Sequence, residues 1–327
     1  MEAIKCGRRL ILIMKSKSAL VTGGAGFVGS HLSESLIADG YEVFCVDNFG
    51  SGRRENISSL LEKPRFRLID ADVREKLGFP AVDEVYHLAS RASPKDFTSH
   101  PVRIALTNTE GTRNLLDYAV ENDATFLYAS TSEVYGNPEV HPQTEGYNGS
   151  VNIRGPRGCY DEAKRFGETL TVVYEDRYDL DVRTVRIFNT YGPRMRPDDG
   201  RVVPTFLGQA LADEDITIHG EGEQTRSFCY VSDLVDGMRS VMDTPEMKGD
   251  VVNLGKPNEI TIRELAGYVL DATGSESDLV HVERPVDDPE RRCPDIGKAE
   301  ELLDWRPETD IREGLADTAE YFREHEV

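Results

Sequence analysis

The segment Val21-Thr22-Gly23-Gly24-Ala25-Gly26-Phe27-Val28-Gly29-Ser30-His31-Leu32 leaves this chain few folds to choose from. It continues the β-prone run Ser18-Ala19-Leu20-Val21, so it reads as a strand, a glycine turn and the start of a helix. Gly23 permits a tight turn, Gly26 lets the backbone come close to an anion, and Gly29 lets the helix pack against the strand. The unpaired N–H groups and the positive dipole end of that helix then face a phosphate. Glycines alone also suit a bare turn with no ligand. A second strand over 41–46 adds to them, because it ends in Asp47, where a carboxylate accepts a hydrogen bond from the ribose of a dinucleotide. That carboxylate repels a 2′-phosphate and so favours NAD over NADP, although Arg53 and Arg54 lie close by. Phe27 and Val28 at the helix start, and Asn48 beside Asp47, belong to the same expected wall.

Strands and helices alternate from Ser18 to about Phe188. Strands are expected at 18–23, 42–47, 66–70, 84–89, 125–130 and 182–188, and helices at 27–39, 102–121 and 160–178. Such alternation implies an α/β fold, a doubly wound parallel sheet of the Rossmann type covered on both faces. Beyond Asn189 the pattern is irregular. A helix over 233–243 and a strand over 251–255 return to the sheet, and a helix over 261–272 follows. The expected division is a dinucleotide domain of 15–188, rejoined by 230–255, with 189–229 and 256–327 as a smaller substrate-binding cap. The crevice between them, at the carboxyl edge of the sheet, is where open α/β sheets bind ligands.

A formal charge of −21 on 327 residues argues against a nucleic-acid or anionic-membrane partner, since like charges repel. With lysine sparse, it suits a salt-rich cytoplasm, where screening weakens self-repulsion. The five cysteines are scattered and odd in number, which points to a reducing compartment rather than to disulfides or zinc. The histidines form no ligand-like group, and no metal is expected. Arg8-Arg9 followed by Leu10–Met14 imitates a secretory leader, but the apolar run is short and lacks a cleavage site. Met14 is an alternative start. No stretch is long enough to span a membrane.

Tyr160-Asp161-Glu162-Ala163-Lys164 places a phenol and an ammonium on one helical face, where the cation favours phenolate. Upstream, Ser130-Thr131-Ser132-Glu133 ends a strand with three hydroxyls and a carboxylate, a pattern that also suits a helix cap. These residues, together with His87-Leu88-Ala89-Ser90, Gly158-Cys159-Tyr160-Asp161-Glu162, Arg186-Ile187-Phe188-Asn189-Thr190, Gly192-Pro193-Arg194-Met195, Asp199-Gly200-Arg201, Gln224-Thr225-Arg226, Asp287-Asp288-Pro289 and Pro294-Asp295, carry a resemblance. From about Lys17 to Phe322 the chain resembles the extended short-chain dehydrogenases/reductases that modify nucleotide sugars. Within them it is similar to the UDP-glucuronate decarboxylases.

The resemblance implies NAD as cofactor, a UDP-sugar as substrate and a homodimer formed through the helices at 102–121 and 160–178. It implies that Tyr160 takes the sugar C4 hydroxyl proton through Thr131 while Lys164 holds the nicotinamide ribose. Hydride then passes from C4 to NAD+, the resulting β-keto acid loses carbon dioxide, and reprotonation with hydride return gives UDP-xylose. Ser132, Glu133 and Arg292 are implicated in decarboxylation, and Asn189, Arg201, Arg226 and Arg292 in holding the substrate. Asp72 and Val73 are expected by the adenine, and Leu88 beside the cofactor. Arg226 and Arg292 also suit surface ion pairs, and Asn189 a backbone bond at the domain junction.

Two departures from the family pattern stand out. Arg91 replaces a common proline and Phe97 a common tyrosine, in a loop expected near the sugar. Related readings are a dTDP-glucose 4,6-dehydratase, which typically carries Asp-Glu where this chain has Ser132-Glu133, a 4-epimerase, and a non-catalytic NAD sensor.

Overall fold

The structure is a computed structural model that describes residues 3–6, 9–12, 16–76, 78–284 and 291–325. Met14 and the Asp287-Asp288-Pro289 motif lie outside the described residues. The run that imitates a leader is half of a hairpin, with Arg9–Leu12 antiparallel to Ala3–Cys6.

Seven strands form the central sheet: β1 Ser18–Thr22, β2 Glu42–Asp47, β3 Phe66–Asp70, β4 Glu84–His87, β5 Thr125–Thr131, β6 Val182–Ile187 and β7 Val251–Leu254. Their spatial order is β7-β6-β5-β4-β1-β2-β3, and every pairing is parallel. The order reverses at β1, which places the ligand crevice at its carboxyl end. Side chains alternate between the two faces, as strand geometry demands. Ala19, Val21, Val43, Cys45, Leu127 and Ala129 enter one core, with Leu32 and Leu36 of helix α1 (Phe27–Ala38). Leu20, Phe44, Val46, Phe126 and Tyr128 enter the other. There they meet Leu115, Leu116 and Ala119 of α2 (Thr112–Asn122) and Tyr174 of α3 (Gly158–Tyr178). Both faces are apolar, which is why the strands read as near-continuous hydrophobic runs.

The helix expected over 102–121 is interrupted. Pro101–Leu106 and α2 are joined by a π-helical turn at Thr107–Gly111, where a Cβ on Gly111 would come within 2.7 Å of Val73. A separate core forms the cap, from α4 (Val202–Leu211), α6 (Ile262–Thr273) and α8 (Ile311–His325), with Phe206, Leu265 and Phe322 at its centre. Thr261 opens α6 with a complete capping box to Glu264. Between α4 and α6, α5 (Val231–Asp243) returns to the sheet and lays Leu234, Met238 and Val241 into the first core. Residues 296–305, which include α7 (Gly297–Leu303), contribute Ile296, Ala299 and Trp305 to that same core, although they lie within the expected cap stretch of 256–327. No described helix is long and apolar enough to cross a membrane.

Candidate active site

Between the carboxyl edge of the sheet and the cap lies a cavity of about 730 Å³. Every site residue expected from sequence lines it. Among the described residues its wall carries ten arginine and lysine side chains against five carboxylates, in a protein of net charge −21. Such a pocket favours a polyanion.

At one end is the glycine turn. Gly23 has a φ of +71°, open to glycine without strain, and its N–H donates to Val46 O at 2.8 Å. A Cβ on Gly29 would lie 2.2 Å from Gly23 O, so no larger residue fits there. Gly26 caps α1 without a side chain, which leaves the helix N–H groups to a ligand. Asp47 is buried and accepts from Ala25 N (3.0 Å) and Phe49 N (2.8 Å), which aims its carboxylate into the turn; burial pushes its pKa up. Arg54 packs over the Phe49 ring and pairs with Asp70, which draws it away from the Asp47 carboxylate. Asn48 donates to Asp72, which also holds Arg74 and Arg103. The Arg74 bonds keep the Asp72 carboxyl well below the usual carboxylate range.

At the other end of the sheet edge, α3 presents Tyr160 and Lys164 on consecutive turns. Tyr160 is 6 % exposed, stacks on Phe97 (centroids 5.1 Å apart) and meets the Thr131 hydroxyl. Phe97, the second departure, is thus a wall behind the phenol. Sequence reasoning expected Lys164 to lower the tyrosine's pKa. Instead burial raises it, with only partial relief from Thr131 and Arg201. The Lys164 ammonium donates to Ala129 O at 2.7 Å and lies 5.0 Å above the Tyr128 ring. Burial draws its pKa down to about 7, against the Glu168 charge. His87, fully buried, joins Thr22 Oγ1 (2.9 Å) to Thr112 Oγ1 (3.0 Å) beneath this floor and stays neutral, with burial holding its pKa near 3. It is a strut, and no metal-ligating cluster exists among the described residues.

Thr131 accepts from Glu133 N at 3.3 Å, the capping half of its sequence pattern. The Glu133 carboxylate does not complete a capping box; it accepts two bonds from Arg292, at 2.5 and 2.8 Å, and a third contact from Arg157. Burial alone would raise its pKa, but the Arg292 and Arg157 charges outweigh burial and keep it ionised. Arg157 also reaches Asp161 at 3.7 Å, and burial together with the Glu133 charge pushes Asp161 up. Ser132 is buried beside this pair. Toward the cap, Arg201 pairs with Asp199, Asn189 donates to Ser227 O at 3.4 Å and Arg226 lines the wall. Sequence reasoning missed Arg157 and Asp161. Their one available signal was position, three before and one after Tyr160 on the same helix start.

The glycine cradle, the Asp47 carboxylate and the Tyr160–Lys164 pair fit a nicotinamide dinucleotide. Residues 20–318 match the family described as GDP-mannose 4,6 dehydratase. The chain belongs to this family of NAD-dependent nucleotide-sugar epimerases and dehydratases. It is 50 % identical over 307 residues to UDP-glucuronic acid decarboxylase 1 of Xenopus tropicalis, covering 94 % of this chain and 72 % of that one. It is 48 % identical over 305 residues to UDP-glucuronic acid decarboxylase 6 of Arabidopsis thaliana, covering 93 % and 88 %. A solved UDP-glucuronic acid 4-epimerase from Bacillus cereus, in complex with UDP-glucuronic acid and NAD, superposes with a TM-score of 0.85 at 29 % identity over 94 % of this chain and 99 % of that one. The cofactor of this NAD-dependent family member is NAD, and the glycine turn, Asp47 and Lys164 are the residues that would hold it.

Proposed function

We propose that this chain is a UDP-glucuronate decarboxylase that forms UDP-xylose. The observation that carries the reading is the Glu133–Arg292 pair, braced by Arg157, at the strand end beside Tyr160. A dehydratase needs a proton donor and a base to expel water. Here the glutamate is locked as a carboxylate and its neighbour is a serine, a poor acid toward a leaving hydroxyl. Decarboxylation needs neither, because a β-keto acid loses carbon dioxide as its electrons move into the new carbonyl. What it does need is a cationic surround that holds the uronate, and Arg292 with Arg157 supplies one. Tyr160 takes the C4 hydroxyl proton through Thr131, and Lys164 orients the ribose beside it. Bound NAD+ would supply the hydride acceptor for C4, and the enolate left when carbon dioxide departs must take up a proton at C5 before C4 is reduced again. Arg201, Arg226 and Asn189 face the UDP diphosphate from the cap. Related UDP-glucuronic acid decarboxylases from a vertebrate and a plant support the assignment.

The protein is further proposed to act in the cytoplasm and as a homodimer. Phe166 (49 % exposed), Val173 (51 %) and Val102 (70 %) leave an apolar strip on α3 and the neighbouring Pro101–Leu106 helix, where a second copy would pack. The decisive experiment is proton NMR of UDP-glucuronate with enzyme and NAD+ in concentrated potassium chloride. A UDP-pentose spectrum with carbon dioxide release is expected. An unchanged spectrum refutes the substrate, and Tyr160→Phe with normal turnover refutes the chemistry.

A further inference from the structure

Arg91 has no task in the chemistry above, and its position differs from that expected for it. Its loop was expected beside the sugar; its guanidinium is found at the dinucleotide end. Strand β1 lies between β4 and β2, so its glycine turn is flanked by the loop after β4 on one side and the loop after β2 on the other. The flanks are tight. A Cβ on Gly23 would come within 3.0 Å of Ala89 N and Cα, while Gly23 N–H bonds Val46 O at the end of β2. Arg91 starts from the β4 loop, yet a Cβ on Gly50, in the β2 loop, would lie 2.9 Å from Arg91 Nη2. Arg91 and Gly50 thus meet from the loops that flank the Gly23–Gly29 turn on either side of β1.

Its course is held from behind. Nη1 donates to Asp96 Oδ1 at 3.3 Å, and Asp96 Oδ2 faces Arg196 Nη1 of the cap loop at 3.9 Å. Asp96 is buried, and that Oδ2 takes no hydrogen bond. Asp96 thus steadies Arg91, while Arg196 has its own closer partner in Asp198 at 2.9 Å, and both arginines line the cavity.

We propose that Arg91 binds the diphosphate of the dinucleotide cofactor, closing over it from the face opposite the glycine turn, with Asp96 as the residue that positions it. An arginine fork suits a diphosphate oxygen pair better than a lysine does. The absence of a side chain at Gly50 leaves the guanidinium its place. In so acidic a protein, a dedicated cation at this point offsets the general repulsion of a dinucleotide anion.

The proposal rests on the reading of this end of the cavity as the NAD site, and its test measures binding rather than turnover, so it fails or succeeds separately from the decarboxylase assignment. Calorimetric affinities of NAD+, ADP-ribose and adenosine are compared for NAD-free wild-type protein and Arg91→Gln. Loss of charged hydrogen bonds should weaken NAD+ and ADP-ribose by about 10- to 100-fold, leave adenosine unchanged, and flatten the dependence of NAD+ affinity on potassium chloride. Arg91→Lys, which keeps the charge and loses the fork, should fall between the two and serves if the glutamine variant is unstable. Unchanged affinity for NAD+ and ADP-ribose overturns the proposal, and so does an equal loss for adenosine. A raised KM for UDP-glucuronate with unaltered NAD+ affinity overturns it in favour of a sugar-reading role.

Discussion

Replacing Lys164 with methionine should stabilise the protein while abolishing its turnover. Lys164 is 3 % exposed, and burial draws its pKa from 10.5 to about 7. At about 1.4 kcal/mol per tenfold change in proton affinity, that drop sets a ceiling near 5 kcal/mol on the cost of burying the ammonium. The folded pKa is the lower one, so the cost is full below about 7 and fades as pH rises through 10.5. Methionine keeps the length of the chain and its packing over Tyr128, but gives up the 2.7 Å bond to Ala129 O, worth about 1 kcal/mol. Allowing a factor of two for dielectric relaxation, the variant should gain about 2 kcal/mol near neutral pH, or roughly 3–6 °C in Tm. Thermal unfolding of NAD-free protein followed by circular dichroism at several pH values tests this. The gain should shrink as pH rises from about 7 toward 10.5, the ordinary lysine value, and give way there to a loss of about 1 kcal/mol, the worth of the bond to Ala129 O. A variant less stable at neutral pH, or a gap independent of pH, refutes the view that burial governs this lysine.

Arg292→Gln should leave C4 oxidation in place but slow carbon dioxide release by about 10²- to 10³-fold, read by single-turnover kinetics with separate detection of reduced cofactor and carbon dioxide. Equal loss of both steps would place Arg292 in substrate binding alone. Asp47→Ser should weaken NAD+ and narrow the preference over NADP+ by about tenfold or more, measured as the ratio of the two dissociation constants; an unmoved ratio would remove Asp47 from the ribose. Phe166→Glu, which puts a charge in the exposed strip on α3, should convert a dimer to monomer by light scattering, with each subunit's fold intact. A dimer that survives the change must use another face.

Much of this protein could be read along the chain because its signals are local. The strand–glycine–helix turn, the continuous apolar run of Val43 to Val46 and the one-turn spacing of Tyr160 and Lys164 are written within a few residues. The helices expected at 27–39 and 160–178 are found at Phe27–Ala38 and Gly158–Tyr178, within two residues at each end, for the same reason. Tertiary packing decided the rest. Glu133 and Arg292 are 159 positions apart and meet only because the segment after the cap folds back over the strand end. At the π-helical turn of Thr107–Gly111, Val73 of another loop lies so close that a Cβ on Gly111 would come within 2.7 Å of it. Burial, which depends on the whole surround, raised the pKa of Tyr160 where the nearby ammonium was expected to favour phenolate, drew Lys164 down and raised Asp161. Arg91 is legible as a cation from its letter alone. That it meets Gly50 follows from strand order, because the parallel sheet brings the loops after β4 and β2 to either side of β1.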